Sequence, residues 1–340
     1  MAKYVLNAWY AAATSHEVRQ ELLARTLLDE PIVLFRTGDG HPRALLDRCT
    51  HRFAPLSQGR LCADRVVCPY HGMEYDGTGT CTRIPGQERI PTLARVKAFP
   101  VLERYGLIFV WMGDPEQADP SHLVDIPQYG SVDWGVSRGY AVFGCNWRLI
   151  TDNLIDPAHT TFVHQRTIGN AAGADVPLQS ELIGDRIVSC GRWINDSAPV
   201  PIVKRFANPS GNVDRWQFYY ISAPATSWVD FGCLPTGTAH TVEEQARAPY
   251  RVISYAFLTP INQSSTHYFS FQLRNVAAQD SSVTQEFEQL YHATFEEDRV
   301  LLEQIQRAEE AHPEIKPMYI ASDTGIARLR RLVDEQLKRS

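Results

Sequence analysis

The sequence predicts an α+β chain in two units, an all-β unit over residues 1–120 and an antiparallel sheet with a long helix over residues 121–340. Three observations carry this. Short apolar or alternating runs fill the first third and are broken by Gly- and Asp-rich turns. A polar stretch with three prolines, "GDPEQADPSHLVDIPQYG" at 113–130, reads as an interdomain linker. Near the C-terminus, "VTQEFEQLYHATFEEDRVLLEQIQRAEEA" runs 29 residues without Gly or Pro. A chain of 340 residues suits two domains of ordinary size.

Taken in order, "PIVLFRT", "RALLDRC", "RVVCPYHGMEYD" and "YGLIFVWMG" read as strands, with hairpins expected at "RTGDGHPR" and "DGTGTC". "NWRLITDNLIDPAHTTFVH" has helical spacing up to a break at Pro157. "DRWQFYYISAPATSWVDFGCLP", "YRVISYAFLTPI" and "HYFSFQLRNV" are β-rich and suit one antiparallel sheet. In the last long segment Phe287, Leu290, Tyr291 and Phe295, then Val300 to Leu302 and Ile305, keep an i, i+3/i+4 rhythm, which predicts a helix.

Composition narrows the function classes. Apolar residues at 44% and charged residues at 21% predict a sizeable core. The 33 basic and 39 acidic residues give a net charge of −6 with no basic block, so nucleic acid is a poor partner. The longest apolar run, "LIFVWM", is far short of the roughly 20 residues of a membrane helix, and no signal peptide is visible. A soluble, cytoplasmic protein is expected. Cys49, Cys62, Cys68, Cys81, Cys145, Cys190 and Cys233 are odd in number, which argues against a disulfide framework.

Two of these cysteines are paired with histidines. "CTHRFAPLSQGRLCADRVVCPYHG", residues 49–72, places Cys49-x-His51 sixteen residues ahead of Cys68-x-x-His71. Two Cys and two His can make a structural zinc site. Zinc fingers, however, pair Cys with Cys and His with His along the chain, whereas each loop here supplies one of each. That arrangement suits an asymmetric two-iron cluster, with thiolates on one iron and imidazoles on the other, which raises the reduction potential over a four-Cys cluster. The pattern C-x-H-x16-C-x2-H with the following Gly72 resembles the Rieske domain of the ring-hydroxylating oxygenases. In respiratory Rieske proteins a disulfide joins the two loops; here Ala54 and Tyr70 stand at those places. Cys62 and Cys81 are expected to be buried or incidental.

A second constellation lies in "DNLIDPAHTTFVH", residues 152–164. His159 and His164 are five apart, roughly 140° around an unbroken helix, so to meet at one metal the helix must end or bend between them. Asp152, Asp156 and His159, at spacings of four and three, would share a helical face. The stretch resembles the D-N-x2-D-x2-H-x4-H segment of the same oxygenases' catalytic domain. The resemblance implies a mononuclear Fe(II) held by His159, His164 and Asp298, the last from "FEEDR" on the long helix, as a two-His-one-carboxylate triad with open positions for O2. It further implies a carboxylate, Asp156, that bridges the cluster ligand His71 to His159, and places Asn153 near the iron.

The resemblance covers almost the whole chain. "NAWYAAATSHEV", "IPGQERIP" and "FEEDR" are most similar to the oxygenase components of the vanillate O-demethylase, dicamba and toluenesulfonate monooxygenase group. It implies an N-terminal Rieske [2Fe–2S] domain and a helix-grip catalytic domain. The implied activity is hydroxylation of a methoxy or methyl group of an aromatic acid, with formaldehyde released on O-demethylation. Electrons would come from NADH through a separate reductase carrying a flavin and a ferredoxin-type cluster, and the implied assembly is a homotrimer. The substrate pocket is expected between the sheet and the long helix, with walls from "SWVDFG" and "QLYHATF". Ring dihydroxylation, or an electron carrier without catalytic iron, are the alternatives.

Overall fold

The computed structural model describes residues 3–339. They form two compact units, one of Tyr4–Leu123 with Thr259–Asn262, the other of Val124–Leu258 with Gln263–Arg339. No helix among the described residues is long and apolar enough to cross a membrane.

The first unit is all-β. Its strands are β1 (Ala8–Thr14), β2 (Leu23–Leu27), β3 (Glu30–Arg36), β4 (Pro42–Leu46), β5 (Arg60–Cys62), β6 (Arg65–Val67), β7 (Glu74–Tyr75), β8 (Cys81–Arg83), β9 (Ala98–Phe99), β10 (Val101–Arg104) and β11 (Leu107–Met112). They pair antiparallel in three small sheets, ordered β1-β11-β10, β2-β3-β4-β9 and β5-β6-β7-β8. Strand β11, "LIFVWM", is buried at every position, so its continuous apolar run is a core strand and not the start of a helix. The loop after β4 and the loop between β6 and β7 carry the Cys-His pairs. Beneath them Val33, Phe35, Leu45, Leu56, Val66 and Tyr75 form one apolar cluster that includes Cys49 and Cys68. Of the two leftover cysteines, Cys81 is buried and Cys62 is exposed.

The second unit is built on a seven-stranded antiparallel sheet. Its strands are β12 (Gly135–Phe143), β13 (Gln179–Ile183), β14 (Ile187–Ser197), β15 (Val213–Ser222), β16 (Thr226–Pro235), β17 (Tyr250–Asn262) and β18 (Ser265–Arg274), in the order β12-β18-β17-β16-β15-β14-β13. Between them lie the helices α1 (Trp147–Leu154), α2 (Pro201–Phe206) and α3 (Val242–Ala246); α4 (Ser281–Ala311) and α5 (Thr324–Arg339) follow the sheet. The side chain of Asp280 caps α4 by accepting from the amides of Ser282 and Val283. Phe287, Tyr291, Thr294, Asp298 and Leu302 are the buried positions of α4, one stripe at spacings of three and four. Phe287 and Tyr291 pack with Val213, Phe231, Tyr250 and Val252 of the sheet. Full burial of Phe287 alone contributes about 2–3 kcal/mol. This is the helix-grip arrangement: a long helix laid on one face of an antiparallel sheet.

Two features lie outside the elements expected from the sequence. Strands β12 to β14 extend the sheet, and they read poorly as strands because β12 holds two glycines and β13 has four exposed residues of five. Helix α5 buries Gly325, Leu329, Val333 and Leu337 at a strict spacing of four. It docks on α1 through Arg330, whose Nε donates to Asp152 Oδ2 at 3.0 Å.

Candidate metal centres

In the first unit the two loops share one backbone frame. The carbonyl of Cys49 accepts from the amide of Phe53 (3.0 Å), and the Cys49 amide donates to the carbonyl of Ala54 (2.9 Å). In the second loop the Cys68 carbonyl accepts from Gly72 (3.1 Å) and the Cys68 amide donates to Met73 (2.8 Å). Phe53 and Gly72 hold the same place and both have positive φ, 60° and 71°. Glycine adopts this freely; Phe53 does so with its ring exposed and the Arg48 guanidinium 5.3 Å away. Each loop thus turns its Cys inward and sends its His outward.

The result is a polarised donor set. Cys49 and Cys68 are 1% and 2% exposed, while His51 and His71 are open to solvent with their Nδ1 atoms 3.2 Å apart. The Tyr75 hydroxyl lies 3.2 Å from Cys49 Sγ and 2.9 Å from Thr50 Oγ1. Burial pushes the Cys68 thiol up from its usual range, and the nearby Cys49 adds to this. Two thiols buried side by side with two converging imidazole nitrogens are what a [2Fe–2S] cluster with unlike irons requires. The set fits that group.

In the second unit, α1 ends at Leu154, because Pro157 has no amide to continue it. A 3-10 turn at His159–Thr161 follows. Gly169 then folds the loop back: a Cβ there would lie 1.9 Å from the carbonyl oxygen of Thr160. The break brings the two histidines together, with ring centroids 5.1 Å apart. His164 Nε2 is 3.2 Å and His159 Nε2 3.7 Å from Asp298 Oδ1. One donor atom from each of His159, His164 and Asp298 lies within 4.8 Å of the other two, and His164 and Asp298 are buried. Asn153 Nδ2 donates to the same Asp298 oxygen at 3.1 Å. Two neutral imidazoles and one carboxylate around a single point fit a mononuclear iron.

The helical face expected for Asp152, Asp156 and His159 does not form, because α1 stops before the last two. Asp152 pairs with Arg330 instead, and burial pushes its carboxyl above the usual range. The Asp156 carboxylate accepts from the amide of Ala158 at 2.8 Å, and His159 Nδ1 meets the main-chain oxygen of Asp156 at 2.5 Å. Within one chain, then, His159 is oriented by the Asp156 backbone. Burial raises the Asp156 carboxyl, against the opposing pull of His159. His159 is held below its ordinary value, chiefly by burial. His164 is also pulled down by burial, but Asp298 and Glu297 outweigh that and raise it.

Sequence reasoning passed over Arg192 and gave Glu297 no role. Arg192, 4% exposed, donates to the carbonyls of Gly173 (2.6 Å), Val176 (3.2 Å) and Pro157 (3.1 Å), to Thr161 Oγ1 (3.2 Å) and to Gln217 Oε1 (3.3 Å). It pins the loop that carries His159 to the sheet. An arginine in a strand gives no local signal of that role. The three acids of "FEEDR" point three ways, as 100° per residue demands. Glu296 pairs with Arg299, Glu297 with His164, and Asp298 faces the cavity. The cavity beside the triad has walls from Ser227, Val229 and Phe231 on the sheet and Tyr291, Thr294 and Phe295 on α4.

Comparison with known proteins accounts for both sites. Residues 8–100 match the Rieske [2Fe–2S] domain, and residues 143–339 match the vanillate O-demethylase oxygenase C-terminal domain. The chain belongs to this oxygenase family. It is 37% identical over 98% of its length to a putative toluene-4-sulfonate monooxygenase iron–sulfur subunit of Comamonas testosteroni, of which 97% is covered. It is 34% identical to the oxygenase component of dicamba O-demethylase of Stenotrophomonas maltophilia, over 98% of this chain and 99% of that one. The crystal structure of dicamba monooxygenase bound to 3,6-dichlorosalicylic acid superposes with a TM-score of 0.91 at 31% identity, covering 99% of this chain and 98% of that one. A further structure of that enzyme contains non-haem iron and dicamba (TM-score 0.86, 30% identity, 99% and 98% covered). As a member of this family the chain is a terminal oxygenase with a Rieske cluster and a mononuclear iron.

Proposed function

We propose that this oxygenase hydroxylates a methoxy or methyl group of an aromatic acid, and on an aryl methyl ether releases formaldehyde and leaves a phenol. The observation that carries the reading is the convergence of His159 Nε2, His164 Nε2 and Asp298 Oδ1 at one buried point beside a cavity with aromatic walls. An electron carrier has no use for such a triad. Vanillate and dicamba O-demethylases among the relatives support an aryl ether as substrate.

In this reading His159, His164 and Asp298 hold the iron, and Cys49, His51, Cys68 and His71 hold the cluster. The two groups supply one-electron transfer and O2 activation when bound. The protein supplies the rest. Asn153 fixes the Asp298 carboxylate, Glu297 fixes the far side of His164, and the Asp156 carbonyl fixes His159. Phe231, Tyr291 and Phe295 exclude water and stack the ring.

Electrons would come from NADH through a separate reductase with a flavin and a ferredoxin-type cluster. The exposed His51 and His71, flanked by the exposed rings of Phe53 and Tyr70, support a contact face for a neighbouring subunit at the cluster edge. A homotrimer in which Asp156 links His159 to the His71 of a neighbouring subunit completes the proposal. The test is a formaldehyde assay with a panel of methoxybenzoates, O2, NADH and a supplied reductase. Formaldehyde stoichiometric with O2 consumed is expected; a cis-diol product without formaldehyde would overturn the reading in favour of ring dihydroxylation.

A further inference from the structure

The cavity beside the iron triad has a polar spot that the chemistry above does not use. Ser227 on β16 is 2% exposed, and its hydroxyl has no hydrogen-bond partner among the described residues. A buried hydroxyl without a partner costs stability, so the position is unusual on a sheet wall where its neighbours Val229, Phe231, Val252 and Ala256 are apolar. Ser227 pairs with Ala256, and the next pair on the same face is Val229 with Ser254. Ser227 and Ser254 are therefore diagonal neighbours, roughly 7–8 Å apart between Cα atoms. The Ser254 hydroxyl is oriented from behind. Ser137 Oγ donates to Gln272 Oε1 (3.3 Å), which turns Gln272 Nε2 toward Ser254 Oγ (3.3 Å). Ser254 accepts there, so its own hydrogen is left to donate.

The charge inventory of the cavity is equally specific. Among the described residues no Lys or Arg lines it, and its ionisable groups are the triad and three tyrosines, Tyr219, Tyr268 and Tyr291, which burial keeps as neutral phenols. The buried Arg192, which does not line the cavity, spends its donors on carbonyls, Thr161 and Gln217. A carboxylate placed against the sheet would be desolvated without a counter-charge. An uncharged oxygen, such as a phenol, an ether or an amide carbonyl, would gain a hydrogen bond in an apolar surround at little desolvation cost.

We propose that Ser227, with Ser254, is the specificity subsite of this oxygenase, taking an uncharged oxygen substituent of the substrate ring against the sheet. This rests on the reading that the cavity receives an aromatic substrate. The test uses holoenzyme and two probes of matched shape, 3-methoxyphenol and 3-methoxytoluene, which differ in one hydroxyl against one methyl. Kd is measured by equilibrium dialysis and formaldehyde with a supplied reductase.

Wild type is expected to bind the phenol about three- to tenfold more tightly than the methyl compound. Ser227→Ala should erase that preference, leave the affinity for 3-methoxytoluene unchanged, and give an equal or higher melting temperature, because it removes an unpartnered buried hydroxyl. A structural serine would instead lose stability on the same change. The proposal is overturned if wild type binds neither probe, if it shows no preference, if Ser227→Ala keeps the preference, or if that variant melts lower. A preference lost in Ser227→Ala without formaldehyde from either probe or from any methoxybenzoate of the panel upholds the subsite and sinks the demethylation reading. Formaldehyde without a Ser227-dependent preference does the reverse.

Discussion

His164 stands between two successive carboxylates of one helix: its Nδ1 is 2.8 Å from Glu297 Oε2, and its Nε2 is 3.2 Å from Asp298 Oδ1. A metal-binding imidazole needs its free ring nitrogen protonated and held, and a carboxylate on that N–H also makes the ring a stronger donor. Glu297→Gln keeps the shape but offers a neutral acceptor. It should weaken Fe(II) binding by about ten- to a hundredfold while the cluster spectrum stays unchanged. Equilibrium dialysis against Fe(II) measures this, and an unchanged affinity would reduce Glu297 to a surface partner.

Asp298 should behave differently from its neighbour. It contributes the only carboxylate within reach of both Nε2 atoms among the described residues. Asp298→Ala should bring iron down from about three to about two atoms per chain, with the Rieske signal retained. If Asp298→Ala keeps its third iron and Glu297→Ala loses it, the ligand is the wrong one of the two.

The contrast between these two residues shows where the sequence was informative. The Cys49–His51 and Cys68–His71 spacings describe two short loops, each closed by its own backbone hydrogen bonds, so a local pattern sufficed to expect these four residues together. Asp298, expected near the two histidines from its "FEEDR" context, does lie beside them, on the same helical stripe as Tyr291 and Thr294. "SWVDFG" and "QLYHATF" do meet at the cavity, as the alternation of the strand and the period of the helix required. Arg192 and Ser227 were not legible. Their roles depend on what the fold places opposite them, Pro157 and Gly173 in one case and an empty stretch of sheet wall in the other. The break at Pro157 was foreseen, but its effect on Asp156 was not: once the helix stops, it is the Asp156 main-chain oxygen that faces the His159 ring.

Tyr75 is placed to tune a cluster through Cys49, its hydroxyl 3.2 Å from the Cys49 sulfur. The Cys49 thiolate, once it is a ligand, accepts from the Tyr75 hydroxyl, while Thr50 donates to Tyr75. Hydrogen bonds to cluster sulfur stabilise the reduced, more negative state. Tyr75→Phe should lower the reduction potential by roughly 40 mV, the one-electron equivalent of about 1 kcal/mol. A redox titration followed by circular dichroism reads the shift, and an unchanged potential would mean that the hydroxyl serves only Thr50.

The inter-subunit route rests on Asp156 and has the sharpest test. Its carboxylate is held by the Ala158 amide, and its main-chain oxygen fixes His159. Asp156→Asn keeps the backbone contact, so both metal centres should load. A neutral amide accepts the N–H of the neighbour's His71 more weakly than an ionised carboxylate does, so product formation should fall steeply. Mixed assemblies then separate the two possible electron paths. His71→Ala chains lack a working cluster, His159→Ala chains lack the iron, and each homo-oligomer should be inactive. If electrons pass between subunits, mixing the two restores activity, because an intact cluster on one chain meets an intact iron on its neighbour. If they pass within a chain, no subunit holds both centres and the mixture stays silent. Native mass spectrometry must show both chains in one trimer; silence in such a trimer rules out the route through Asp156.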